Sequence, residues 1–163
     1  MLATGYGEQA AFQAIKAANL DSNKGRVTVA CINSPASTTL SGDEPVIDYL
    51  EGMLKSGGVF ARKLKVETAY HSHHMEKVAP SYLQSLGDLS SNETQKDIEF
   101  YSSVTGAAKS SGFGPAYWVE NLVSQVCHVI ISTCRASAAN SVAGSLQRRH
   151  DGSAPEHGSD RTP

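Results

Sequence analysis

Apolar positions recur along this chain with two alternating periods, and the points where the period changes mark out its elements. A short apolar start, residues 1–4, stops at Gly5 and Gly7, and from Glu8 onward Phe12, Ile15 and Leu20 fall at roughly helical spacing. Asp21, Ser22, Asn23 and Gly25 are turn formers. Residues 27–32 are β-branched and almost wholly apolar, as a buried strand requires. Asn33, Ser34 and Pro35 break that strand, and residues 37–41 read as its hairpin partner, with Pro35 in the turn where its missing N–H is not needed. Asp43 as a cap, Pro45 at the first helical position and the stripe Val46, Ile47, Leu50, Met53 and Leu54 predict a helix that Gly57 and Gly58 end. Residues 59–66 return to period two, with Phe60, Leu64 and Val66 on one face and Lys63 and Lys65 on the other.

The order over residues 1–66 is therefore βαββαβ. This is the split βαβ, ferredoxin-like arrangement, an antiparallel sheet with both helices on one face. Beyond it, a loop at residues 68–72 feeds a helix in which Met75, Val78, Ala79, Tyr82, Leu83 and Leu86 recur at steps of three and four, with His71 just ahead of its start. Residues 98–104 read as a strand, 106–114 as a small-residue loop and 115–123 as a helix carrying Trp118 and Leu122. From about Gln125 the periodicity fades. Residues 126–131 are briefly apolar, and the remainder, rich in Ser, Ala, Gly, Arg and His, is expected to be disordered. The expected organisation is α+β: a small subdomain at 1-66, a second part at 67-125 and a divergent tail at 126-163.

Composition narrows the functions open to such a chain. Its 163 residues, 40% hydrophobic and 18% charged, are ordinary for a globular domain. Fourteen Lys and Arg against 16 Asp and Glu, a formal net charge of −2, give no electrostatic reason to expect nucleic acid or an anionic membrane surface as partner. Cys31, Cys127 and Cys134 form no CxxC pair, and their odd count argues against a disulfide framework, so a reducing, cytoplasmic setting is expected. No apolar run reaches the length of a membrane span, and the first residues lack the basic-then-apolar pattern of a signal peptide.

The densest group of reactive side chains is AYHSHHM, residues 69–75. Three readings compete for it. His71, His73 and His74 supply imidazoles for a metal, but zinc wants three or four convergent ligands, and only Glu67 and Glu76 lie close in sequence. The motif also fits a surface loop without chemistry. The third reading is a general base, an imidazole that titrates near neutrality with its ring fixed by a second hydrogen bond. Ser72 is a poor nucleophile for His71, because adjacent residues on an extended or turning segment point apart, so a serine nucleophile must come from elsewhere.

Four ordered motifs make one of these readings specific: ACINSPASTTLSGD (residues 30–43), GVFARKLKVETAYHSHHM (58–75), FYSSVTG (100–106) and YWVENLVSQV (117–126). Together, over about residues 1–124, they resemble the acyltransferase domains of fungal iterative polyketide synthases. The resemblance implies the ferredoxin-like subdomain together with part of an α/β-hydrolase-like core. It also implies a two-step transfer of malonyl from coenzyme A to an active-site serine and on to the phosphopantetheine thiol of an acyl carrier protein, with no cofactor and no metal bound. In that scheme His71, the first histidine of HSHHM, is the base of both steps. Thr68, Ala69 and Tyr70 lie in the segment that helps to select the acyl group, and Asn33 of the NSP motif is close to the pocket or serves the turn. A backbone carbonyl that orients the histidine falls around Asn121. The partners implied are acyl-CoA, the acyl carrier protein and the remaining synthase domains.

The sequence departs from the family in three ways. It has no GHSxG motif and not the arginine that pairs with the malonyl carboxylate; Gln125 stands where the family has proline; and Cys127 and His128 stand where it has an arginine and an aromatic residue. Met1 resembles an internal methionine of the full domain. The expectation is a C-terminal portion of the domain, holding the base without its nucleophile and inactive alone. The other reading, from a different class, is a non-catalytic ferredoxin-like binding or interaction module whose histidine cluster is incidental or weakly metal-binding.

Overall fold

The computed structural model describes residues 1–19, 25–90 and 98–128. In chain order these form β1 (Leu2–Thr4), α1 (Glu8–Asn19), β2 (Val27–Ser34), β3 (Ser37–Gly42), α2 (Glu44–Ser56), β4 (Ala61–Lys63), α3 (His73–Glu76), α4 (Ala79–Leu86), α5 (Pro115–Val123) and β5 (Val126–Cys127). The order up to β4 is the βαββαβ expected from periodicity. One five-stranded sheet runs β4-β1-β3-β2-β5. β1 pairs antiparallel with β3 and β4, β2 pairs antiparallel with β3, and β5 joins β2 in parallel.

The core lies between this sheet and the two long helices. Leu2, Val27, Val29, Leu40 and Ala61 from the strands meet Ala11, Ala14, Ile15 and Ala18 of α1 and Val46, Ile47, Leu50 and Leu54 of α2 in one buried cluster. The stripe of α1 differs from the expected one, for Phe12 is 47% exposed and the buried positions are 11, 14, 15 and 18. These follow the i, i+3, i+4, i+7 rule, and three of the four are alanines, which let the helix approach the sheet closely. Leu20 lies outside the described residues. Two threonines share the inward face: Thr4 and Thr38 are register partners in β1 and β3, both buried, with their hydroxyls 2.9 Å apart. Each supplies the partner that a buried hydroxyl requires.

Four other expectations change. The strand expected over residues 59–66 shrinks to Ala61–Lys63, because β1 offers only Leu2, Ala3 and Thr4 to pair with. Phe60 and Val66 are accordingly 62% and 45% exposed. The helix expected after His71 is two helices, interrupted at Lys77 and Val78, since Pro80 near the start of α4 has no N–H to give and its ring crowds the carbonyl of Glu76. Of the expected stripe only Met75 is buried, and Leu83 is 46% exposed. Residues 98–104 are not a strand. They carry a single bridge, Tyr101 to Ala108, because buried Ser102 takes over local backbone partners: its Oγ accepts from the N–H of Val104 (3.2 Å) and Thr105 (3.4 Å) and from the Tyr117 hydroxyl (3.0 Å). Finally, Val126 and Cys127, placed in the tail by the sequence, form β5 against Cys31 and Ile32 of β2, and Val126 is buried. The rest of the expected disordered tail, from residue 129, lies outside the described residues.

Truncating a filled position should separate this core from its exposed rim. Leu50→Ala is expected to cost about 2–5 kcal/mol in urea denaturation and Phe60→Ala less than about 1 kcal/mol. Equal costs would contradict a core in which Leu50 is 0% and Phe60 62% exposed.

Candidate active site

His71 ends the loop that leaves β4 and is the one non-glycine residue with positive φ among the described residues, at 54°. A left-handed backbone costs a residue with a Cβ on the order of 1–2 kcal/mol and persists only where its surroundings enforce it. Here Ser72 enforces it from one side. Its hydroxyl donates to the Ala69 carbonyl (2.6 Å) and accepts the N–H of His74 (3.2 Å), capping α3. Both bonds are to backbone atoms, those of Ala69 and His74, and neither is to the His71 ring.

The ring itself is fixed from 53 residues away. Nδ1 of His71 lies 2.9 Å from the carbonyl oxygen of Ser124, the residue that ends α5. A carbonyl only accepts, so Nδ1 carries the proton and the neutral ring keeps its lone pair on Nε2. Ser124 supplies one of the helix-end carbonyls that lack an intrahelical partner. The orienting group expected around Asn121 is thus three residues further on. Asn121 sends its Nδ2 to the Ser103 hydroxyl instead (2.8 Å), and the Cys127 N–H donates to the Ser103 carbonyl (3.0 Å), which ties the end of α5 and β5 to the Ser102–Ser103 turn.

His73 and His74 do not accompany His71. Their Nε2 atoms lie 3.1 and 2.6 Å from a single oxygen, Oδ1 of Asp43, while Oδ2 accepts the Arg26 N–H at 2.7 Å. The sequence assigned Asp43 to capping, yet no side-chain cap bond forms at α2. The Arg26 N–H, and after it the imidazoles of His74 and His73, hold the Asp43 carboxyl at about 2, against the opposing effect of burial. Asp43, His73 and His74 were not grouped by the sequence reading, since 30 residues separate the aspartate from the pair. The signal available was the SGD that follows a strand facing a histidine pair that follows the next one.

The remaining candidates divide. Thr68 and Ala69 line a groove of about 340 Å³ together with Met1, Glu44, Lys63 and His74. Asn33, Tyr70 and His71 are not among its lining residues. Asn33 donates to the Thr39 hydroxyl across the hairpin (3.0 Å), the turn-side alternative, and Tyr70 is 48% exposed. The groove's cation, Lys63, is bonded to Asp48 and Glu44, which raises its pKa. It is therefore already paired rather than awaiting a carboxylate.

With this geometry the comparison with known proteins is decisive, because the acyl transferase domain family model matches residues 1–149. The chain belongs to that family. The match runs past residue 124, where the motif resemblance was expected to dissolve, and so takes in β5 and part of the stretch read as divergent. A highly reducing polyketide synthase of Aspergillus luteorubrus is 55% identical over 103 residues, 63% of this chain and 3% of that protein. Another, from Alternaria alternata, is 45% identical over 141 residues, 85% of this chain and 5% of that protein. The chain thus spans only 3–5% of the length of these relatives. Among solved structures, the acyltransferase domain from the second module of the salinomycin polyketide synthase aligns with TM-score 0.70 and 27% identity, over 83% of this chain and 30% of that one. Malonyl-CoA:acyl carrier protein transacylase from Xanthomonas oryzae aligns with TM-score 0.69 over 83% of this chain and 43% of that one, and at 23% identity shows the fold alone. The acyl transferase family is a family of transferases. Among the described residues no helix is long and apolar enough to cross a membrane.

The state of Asp43 predicts a pH dependence. Because its folded pKa, about 2, lies below the usual value of about 4, the carboxylate contributes stability that is fully present above pH 4 and is lost as pH falls through 2. Asp43→Asn should therefore unfold at lower urea concentration than the parent at neutral pH, with the gap closing between about pH 4 and pH 2. A gap that stays constant down to pH 2 would show that the charge of Asp43 is not what holds this corner.

Proposed function

We propose that the chain is the C-terminal portion of a polyketide synthase acyltransferase domain that moves malonyl from coenzyme A to an acyl carrier protein, with His71 as general base. The observation that carries this reading is the His71 ring, whose Nδ1 is bonded to the Ser124 carbonyl, on a left-handed backbone that only the surrounding bonds sustain. Nε2 is then the nitrogen that takes and returns protons. In the first half-reaction it accepts the proton of a serine hydroxyl as Oγ attacks the thioester carbonyl, and gives it to the departing coenzyme A thiolate. In the second it accepts the proton of the phosphopantetheine thiol as sulfur attacks the acyl-serine ester, and returns it to Oγ. Both steps need only proton transfer and positioning, so no bound cofactor and no metal enters. The nucleophilic serine is not part of this sequence as a GHSxG motif, and we assign it to a segment outside these residues.

Residues 1–66 are read as the ferredoxin-like subdomain, a reading supported by the order β4-β1-β3-β2, its antiparallel pairing and the helices α1 and α2 packed into one core cluster with it. The segment from residue 67, with the His71 loop and α5, is read as part of the α/β-hydrolase-like core. Thr68, Ala69 and Tyr70 are proposed to bear on acyl-group choice, as the segment leading into the base. The remaining synthase domains are proposed as covalent neighbours in a cytoplasmic setting. A non-catalytic module accounts for the histidine pair on Asp43 but leaves the strained His71 and its Ser124 partner without a role.

The test is reconstitution. The unfused chain should transfer no malonyl above background. Fused to an upstream segment carrying GHSxG from a related domain and a matching C-terminal end, it should become active. In that fusion His71→Ala should cost on the order of 10²–10⁴ in kcat, the usual worth of a positioned base, whereas His73→Ala should cost far less, with circular dichroism confirming that each variant is folded. Serine-dependent turnover by the unfused chain, or a folded His71→Ala fusion that retains full transfer, would overturn the reading.

A further inference from the structure

We infer that Asp43, His73 and His74 form a binding site for a divalent transition-metal ion of the zinc type, separate from the proposed base. The three ligand atoms, Asp43 Oδ1 and the two Nε2 atoms, all lie within 4.8 Å of one another. Neighbouring histidines rarely converge, but here α3 begins at His73, the ring planes stand 58° apart with centroids 4.5 Å apart, and both Nε2 atoms turn to the same oxygen. A tetrahedral ion with bonds of about 2.0–2.2 Å holds its ligands roughly 3.3 Å apart. The present separations of 3.1 and 2.6 Å admit that ion once the His74 ring backs away slightly, and its side chain, 37% exposed, has room to do so.

The chemistry of the donors selects the ion. Two imidazoles and one carboxylate suit zinc, copper or nickel and not magnesium or calcium, which take oxygen ligands. Asp43 turns one oxygen to both rings, and its second oxygen is bonded to the Arg26 N–H, the kind of outer hydrogen bond that orients a ligating carboxylate. Each imidazole coordinates through the Nε2 lone pair with its proton on Nδ1. The partial exposure of the three side chains, 13%, 37% and 31%, leaves a face open for entry and for a water as fourth ligand. His71 takes no part: among the described residues the converging ligand atoms are those of Asp43, His73 and His74. The inference is thus independent of the transfer reading. A bound ion would clamp α3 to the start of α2 while leaving Nε2 of His71 untouched.

Zinc titrated into the full chain at neutral pH, with a non-coordinating reductant present, should bind as a single ion. His74→Ala and Asp43→Asn should each weaken binding more than about tenfold, while His71→Ala should leave it unchanged. Because Asp43→Asn removes the charge that faces Arg26 and the histidine pair and can unfold the chain, the parent also serves. Zinc should shift the ring proton resonances of His73 and His74 and not those of His71. Cobalt in place of zinc should give ligand-field absorption without a thiolate charge-transfer band. Absence of binding, binding indifferent to His74→Ala, zinc-induced shifts confined to His71, or a thiolate band that assigns the ion to the cysteines would each overturn the site.

Discussion

The carboxylate of Asp43 divides its two oxygens between parts of the chain that would otherwise be independent. Oδ2 takes the Arg26 N–H just ahead of β2, and Oδ1 faces the imidazoles of α3, while its own backbone sits between β3 and α2. A carboxylate held at about 2 is a fixed charge at every pH near neutrality. Its neighbourhood is tight. A Cβ at Gly42 would stand 2.2 Å from the Arg26 carbonyl, and one at Gly25, whose φ is 101°, 2.5 Å from Asp43 Oδ2. The glycines on either side are therefore what let the carboxylate reach its backbone partner. With α3 anchored there, the loop that ends at His71 has a fixed downstream end.

The upstream end and the ring depend on a second set of contacts. Ser72 closes the turn on Ala69, Ser124 takes the Nδ1 proton, and the position of Ser124 is set by what surrounds α5. Tyr117 is buried and bonded to Ser102, and Phe100, Phe113 and Trp118 stand against it edge-on. Past the helix end, β5 adds to the edge of β2. A left-handed histidine is sustained because each of these parts would have to move for it to relax, and the sheet that anchors β5 is the same one whose other edge, β4, leads into the loop. Strain at one residue is held by the ladder and the core together.

How much of this the sequence disclosed follows from how far apart the cooperating groups are. Period and punctuation located β1, the β2–β3 hairpin and α2 because each is decided by neighbours within a few residues, and His71 stood out through its motif. Local signals failed where a longer-range partner decides. The spacing of large apolar residues picks out Phe12 in α1, whereas close helix–sheet packing buries the small Ala11, Ala14 and Ala18. Residues 98–104 have strand-like composition, but a serine hydroxyl competes for the N–H groups a ladder would use. Val126 looked like the start of a tail until the free edge of β2 gave it a partner. At the site, His71 is marked by its motif, and the carbonyl bonded to its ring, Ser124, stands three residues beyond the Asn121 to which the resemblance points. The pairing of Asp43 with His73 and His74 was not legible, because a residue before a helix is read first as its cap.

The choice of a carbonyl in place of a carboxylate as the partner of His71 has a physical meaning for the proposed transfer. The carboxylate at this corner faces His73 and His74, whereas the partner of His71 is the carbonyl of Ser124, whose extended backbone (ψ 157°) lies just past the last turn of α5. A full negative charge would stabilise the imidazolium more strongly and slow the return of its proton. In the proposed transfer the leaving thiolate of coenzyme A is a weak base, and the second nucleophile, a thiol, gives up its proton readily. A carbonyl that fixes the tautomer and orientation of the ring, and so leaves the lone pair on Nε2, is what the proposed proton transfers ask of it.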